Sequence, residues 1–124
     1  MPHITVVYSG TVADAFDRPA FAKDLHETLV TVAGGRLQGC KTRFLRLEET
    51  WIADGSPYYA MIHAELALLA GRTAEVKRET TGAVLALLRR HTAVIPAVEV
   101  QFSVEWRDVD GDSYARHDEP KVTS

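Results

Sequence analysis

A chain of 124 residues with 46% hydrophobic content has the size and apolar fraction of one compact domain around a single core. Its 14 Lys and Arg against 17 Asp and Glu leave a net charge of −3, which excludes the basic field that holds a nucleic-acid backbone. No run approaches the roughly eighteen apolar residues of a membrane span, and the opening residues lack the charged leader and apolar block of a signal peptide, so the expectation is a cytoplasmic protein that meets neither nucleic acid nor membrane.

Elements follow in order. From Pro2 to Tyr8, the alternation of Ile4, Val6 and Tyr8 with His3, Thr5 and Val7 predicts a strand ending at the turn pair Ser9-Gly10. Asp17 is a helix cap with Pro19 in the first turn. Phe21, Leu25, Leu29 and Val32 then recur at helical spacing until Gly34-Gly35 stops the helix. Thr42 to Leu47 reads as a second strand, closed by the turn residues Ala53 to Pro57, and Tyr58 to Leu69 as a long apolar third. Thr73 caps a second helix that buries Val76, Ala83, Val84, Leu87 and Leu88 and runs to about Arg90. Pro96 breaks it, and Val98, Val100, Phe102, Val104 and Trp106 share one side of a final strand. After about residue 107 the chain is a polar C-terminal tail to a single domain spanning 1–124.

This order is an α+β arrangement of two β-α-β units, with two helices on one face of a four-stranded mixed sheet, and it puts Pro2 and Tyr58 in corresponding places. The row Phe102, Val104 and Trp106 is expected to form a further apolar surface that oligomerisation would cover.

Chemistry concentrates at few positions. Removal of Met1 would make Pro2 a secondary amine, a compact base whose pKa, ordinarily near 8, falls in an apolar or cationic setting. Arg72, between Gly71 and the cap Thr73, stands where a guanidinium can meet a carboxylate on two prongs with the dipole of the second helix behind it. Lys41 and Arg43, two residues apart, share a strand face. Cys40 is the only cysteine, so an internal disulfide and a multi-thiolate zinc site are excluded.

Four segments in order, Met1-Pro2-His3-Ile4, Thr50-Trp51 with Ala53-Asp54-Gly55, Tyr59 to His63, and Ala70-Gly71-Arg72-Thr73, resemble the 5-carboxymethyl-2-hydroxymuconate isomerases of the tautomerase superfamily. The resemblance implies a homotrimer of β-α-β units, no metal or organic cofactor, and an N-terminal proline as the acid/base group. It implies a substrate-binding role for Arg72 and a second cationic anchor aligned with Lys41, where a compact ammonium cannot form the planar fork. Arg43 can serve instead if the register differs locally, and surface ion pairs of either residue with Glu48 or Glu49 are the alternative. The implied substrate is a small carboxylated enol such as 5-carboxymethyl-2-hydroxymuconate. Keto-enol tautomerisation of a 2-oxo acid and a non-catalytic ferredoxin-like oligomeric binding module are the competing readings.

Other patterns carry less. Asp108-Val109-Asp110-Gly111-Asp112 with Glu119 imitates a calcium loop, yet its glycine stands fourth rather than sixth and a strand precedes it. His63 with Glu65 and His26 with Glu27 lack a third spaced ligand, and neither Ser9 nor Ser103 sits on a nucleophile elbow.

Overall fold

A computed structural model describes residues 1–122. Its elements are β1 (His3–Ser9), α1 (Arg18–Thr31), β2 (Lys41–Leu47), β3 (Tyr59–Leu69), α2 (Ala74–Arg90) and β4 (Glu99–Val109). They form one four-stranded sheet in the order β2-β1-β3-β4. β1 and β2 are parallel, as are β3 and β4, while the central pair β1 and β3 runs antiparallel. Each half is thus a strand, a crossover helix and a parallel strand, as the order of sequence patterns predicts.

The helix starts follow their caps. The Asp17 side chain accepts the Ala20 N–H at 3.2 Å and the Thr73 side chain accepts the Val76 N–H, also at 3.2 Å. Phe21, Leu25 and Leu29 from α1 and Val84, Leu87 and Leu88 from α2 press onto Ile4, Val6, Ile62, Ala64 and Leu66 of the central strands. Burying each larger side chain contributes about 1.5–3 kcal/mol, so this single layer of helix on sheet carries most of the favourable burial. Thr80, a polar residue on the inner face of α2, is fully buried and donates to the Val76 carbonyl at 2.7 Å.

The pairing of the halves extends to their first residues. The Lys41 N–H donates to the Pro2 carbonyl at 3.1 Å, and the Glu99 N–H donates to the Tyr58 carbonyl at 2.9 Å. Pro2 and Tyr58 therefore play the same backbone role, one residue before β1 and β3.

Two expectations change. Phe102, Val104 and Trp106 are opposite Ile62, Ala64 and Leu66 in register, so they lie half-buried on the helix side and pack against the core. The uncovered face is mixed instead, with Val7, the exposed Leu45 and Met61 beside polar and charged side chains. Arg107 meets Glu65 at 3.2 Å, and His63 bridges Ser103 Oγ at 2.6 Å and Glu105 Oε1 at 3.0 Å. Second, β4 continues to Val109, a short 3-10 turn spans Gly111–Ser113, and the chain beyond returns to the start of β1, where Tyr114 Oη and His3 Nε2 are 3.1 Å apart.

The half-buried His26 holds Thr42 Oγ1 at 2.7 Å, and burial pushes its imidazole below the ordinary 6.5. The unfolded chain therefore takes up a proton near pH 6.5 that the folded chain resists, and stability should fall as pH is lowered through that value. Denaturant midpoints at pH 7.5 and 5.5 are expected to differ less in His26→Gln, which keeps a partner for Thr42, than in the wild type. An unchanged difference would remove His26 from the acid response.

Candidate active site

The start of β1, the end of β3 and the start of β2 meet at one end of the sheet. Pro2 is buried there, and a Cβ added to Gly35 would stand 3.2 Å from the Pro2 Cγ. Glycine at that place is what allows the segment leaving α1 to pass against the proline ring. With Met1 in place the Pro2 nitrogen is an amide and cannot act as a base.

Gly71, at φ 132°, takes a backbone conformation that side chains disfavour and turns the chain out of β3. The Arg72 that follows does not stand free over the start of α2. Its Nε donates to the Ala33 carbonyl and its Nη1 to the Leu69 carbonyl, each at 3.0 Å. Ala33 lies just past the C-terminal end of α1, where unpaired carbonyls and the negative end of the dipole favour a cation. Arg72 thus ties the end of α1 to the end of β3, and Nη2 has no hydrogen-bond partner among the described residues.

The two β2 cations separate. Lys41 Nζ donates to the Gly39 carbonyl at 3.1 Å and lies beside the chain's amino end. Arg43 Nη2 reaches His3 Nδ1 at 2.9 Å across the open face of the sheet. Neither forms an ion pair among the described residues; Glu48 instead meets Arg46 at 3.5 Å. Burial first, then Arg43 and Lys41, holds the His3 imidazole below 6.5. Burial, Lys41 and Arg116 likewise hold the Met1 amine below 8.0. This end of the sheet disfavours any additional positive charge.

A cavity of about 460 Å³ opens beside the amino end, lined by Met1, Arg36, Gln38, Arg116, His117 and Asp118. Arg36 and Arg116 on its wall outnumber the single carboxylate of Asp118, and Lys41 stands beside the same amino end, so the lining is net cationic. No group of three His, Cys, Asp or Glu suited to a metal ion occurs among the described residues, and Asp108 of the calcium-like stretch is engaged by Lys77 at 2.6 Å and Trp106 at 2.9 Å. The sequence reading missed the 114–118 wall. Its one signal is Arg116 and Asp118 two apart, which share a side of an extended chain.

The family model for 5-carboxymethyl-2-hydroxymuconate isomerase matches residues 2–120. A 5-carboxymethyl-2-hydroxymuconate Delta-isomerase of Escherichia coli is 29% identical over 96 residues, 77% of this chain and 75% of that protein. The crystal structure of a 5-carboxymethyl-2-hydroxymuconate isomerase from Deinococcus radiodurans R1 is similar with a TM-score of 0.84 and 28% identity, covering 95% of this chain and 90% of that one. A fused 4-OT symmetric trimer shares the fold, with a TM-score of 0.75 at 20% identity over 92% of this chain and 90% of that one.

Proposed function

The chain belongs to the 5-carboxymethyl-2-hydroxymuconate isomerase family, and from that premise we propose that it moves a proton on a dicarboxylated dienol with the Pro2 amine, freed of Met1, as its acid/base group. The protein is an isomerase of the tautomerase fold. The observation that carries the proposal is the burial of Pro2 at the cationic end of the sheet, beside a cavity walled by arginines.

The chemistry needs little else. A neutral Pro2 nitrogen accepts the enol hydroxyl proton, the O–H electron pair becomes the new carbonyl, the double bonds shift, and the proton is returned to the far carbon to leave an enone. No external oxidant, metal or organic cofactor enters this balance. Lys41 and the free nitrogen of Arg72 bear on the substrate's carboxylates, with Arg43 acting through His3. Burial first, then Lys41 and Arg116, lower the Met1 amine, and the same surroundings would favour the neutral form of a Pro2 amine.

The assembly we propose is a cytoplasmic homotrimer. Its support is the uncovered sheet face with Arg43, His63, Glu65 and Arg107, and the likeness in fold to a symmetric trimer. A 2-oxo acid substrate of keto-enol type is the second reading, favoured by the same basic site should a dicarboxylate fail.

Ultraviolet spectroscopy with 5-carboxymethyl-2-hydroxymuconate and a panel of other dienols tests the proposal on protein whose intact mass shows loss of one methionine and whose light scattering gives three chains. The expected result is loss of the dienol band. The rise of kcat/KM with pH should have its midpoint below the ordinary 8.0 of an α-amino group, because the Pro2 amine would share the burial and the neighbouring cations that hold the Met1 amine below that value. Inertness toward the whole panel would refute the isomerase chemistry proposed for Pro2.

A further inference from the structure

The returning segment at 114–118 sets one guanidinium in an unusual way. Arg116 Nε donates to Asp118 Oδ1 at 2.8 Å and Nη2 donates to Asp118 Oδ2 at 2.7 Å, so one edge of the fork is clamped by a carboxylate. That clamp fixes the plane of the group. The other edge turns inward: Nη1 stands 3.1 Å, and the Met1 carbonyl oxygen 2.9 Å, from the place a Cβ on Gly39 would occupy. Gly39, having no side chain, therefore leaves room for both the Arg116 guanidinium and the Met1 carbonyl on one side of its backbone. Nη1 has no hydrogen-bond partner among the described residues, and Arg116 is part of the cavity wall.

Burial and anchoring are graded in the same sense. The Arg116 side chain is 31% exposed and that of Asp118 67%, so the carboxylate holds the fork from the solvent side. Tyr114, two residues earlier, anchors the segment through its hydrogen bond to His3 and an edge-on ring contact at 6.0 Å. The result is a cation on the cavity wall with one edge oriented by its own acid and the other edge without a partner among the described residues, close to the chain's amino end.

We propose that Arg116 is a further carboxylate-binding residue of this site, held by Asp118 so that its inward edge receives one carboxylate of a dicarboxylate ligand. Asp118, which shares the cavity wall, is a positioning residue: its carboxylate orients the guanidinium and does not receive the ligand's carboxylate. The kinetic consequence rests on the isomerase reading above; the binding consequence does not. Lys41 and Arg72 together serve one carboxylate of the ligand and Arg116 the other, whereas a monocarboxylate engages only one of these two places, so Arg116 accounts for the preference between them.

Processed wild type is expected to bind hexanedioate more tightly than hexanoate by calorimetry or by competition against the dienol. Arg116→Gln should weaken hexanedioate about tenfold to a hundredfold, the scale of a lost charge-assisted contact, and bring the two ligands within about twofold of each other. Arg116→Lys keeps the charge and should retain part of the preference, while Asp118→Asn should weaken hexanedioate by a smaller factor of about two to five. For a dienol that turns over, KM should rise in Arg116→Gln with kcat little changed. A wild type without the preference, or a preference that survives Arg116→Gln, overturns the assignment. Lack of turnover by wild type, with the preference present and abolished in Arg116→Gln, would count against the isomerase reading and leave this one standing.

Discussion

Protein that retains Met1 or carries an N-terminal tag is expected to show no measurable isomerisation of a dienol that the processed protein converts. The first reason is chemical: an acylated Pro2 nitrogen has its lone pair in an amide and cannot take a proton near neutrality. General acid/base catalysis supplies about 10²–10⁴-fold by itself, and blocking it also places a residue between the cations and the substrate. Circular dichroism and chain stoichiometry should be unchanged, since Met1 lies outside β1. Pro2→Ala, correctly processed, keeps an amine and should retain part of the activity. Its nitrogen can rotate where the ring fixed it, and a misplaced base costs about 10²-fold in the worst case. If tagged and processed protein convert one dienol at equal rates, Pro2 is not the base.

Arg72→Ala is expected to damage both stability and catalysis, and a lysine at this place should repair less than charge alone suggests. The guanidinium reaches two carbonyls on different elements, Ala33 after α1 and Leu69 in β3. A charge-assisted contact is worth about 1.5–3 kcal/mol, and losing both frees one carbonyl just past the end of α1 and one at the end of β3. A single ammonium cannot span them in the same geometry. Denaturant midpoints should therefore rank wild type above Arg72→Lys above Arg72→Ala, with kcat/KM in the same order. Stability equal to wild type in Arg72→Ala, with activity lost, would make it a pure ligand anchor. Loss of neither would remove it from the site.

Much of the scaffold could be read from local pattern. The alternation Ile4, Val6, Tyr8 marks a strand, and Asp17 and Thr73 mark helix starts because a cap is decided within one turn of chain. The correspondence of Pro2 and Tyr58 follows from pattern too, and the structure repeats it in backbone bonding. What resisted reading depends on partners distant in sequence. Alternation puts Phe102, Val104 and Trp106 on one face of β4, but only pairing with Ile62, Ala64 and Leu66 tells which face α2 covers. Lys41 and Arg43 have the same local pattern, and they part company because one meets the Gly39 carbonyl and the other His3. The 114–118 segment has no apolar period, since polar contacts of Tyr114 and Arg116 hold it, and such contacts leave no periodic trace in sequence.

The return of that segment to the start of β1 brings both extremities of the fold to one place. With Pro2 as base and Arg116 as anchor, two segments far apart in sequence become working parts of one site, which natural and laboratory gene fusions must both respect. A partner domain joined ahead of Pro2 removes the amine, and one joined close behind Asp118 crowds the cavity wall. The exposed turn between the halves, around Asp54, is the place where an added domain or a reporter disturbs neither. Circular permutation at that same turn gives the complementary result: it leaves every strand pairing available, yet it converts Pro2 into an internal residue and should yield a folded, inert protein.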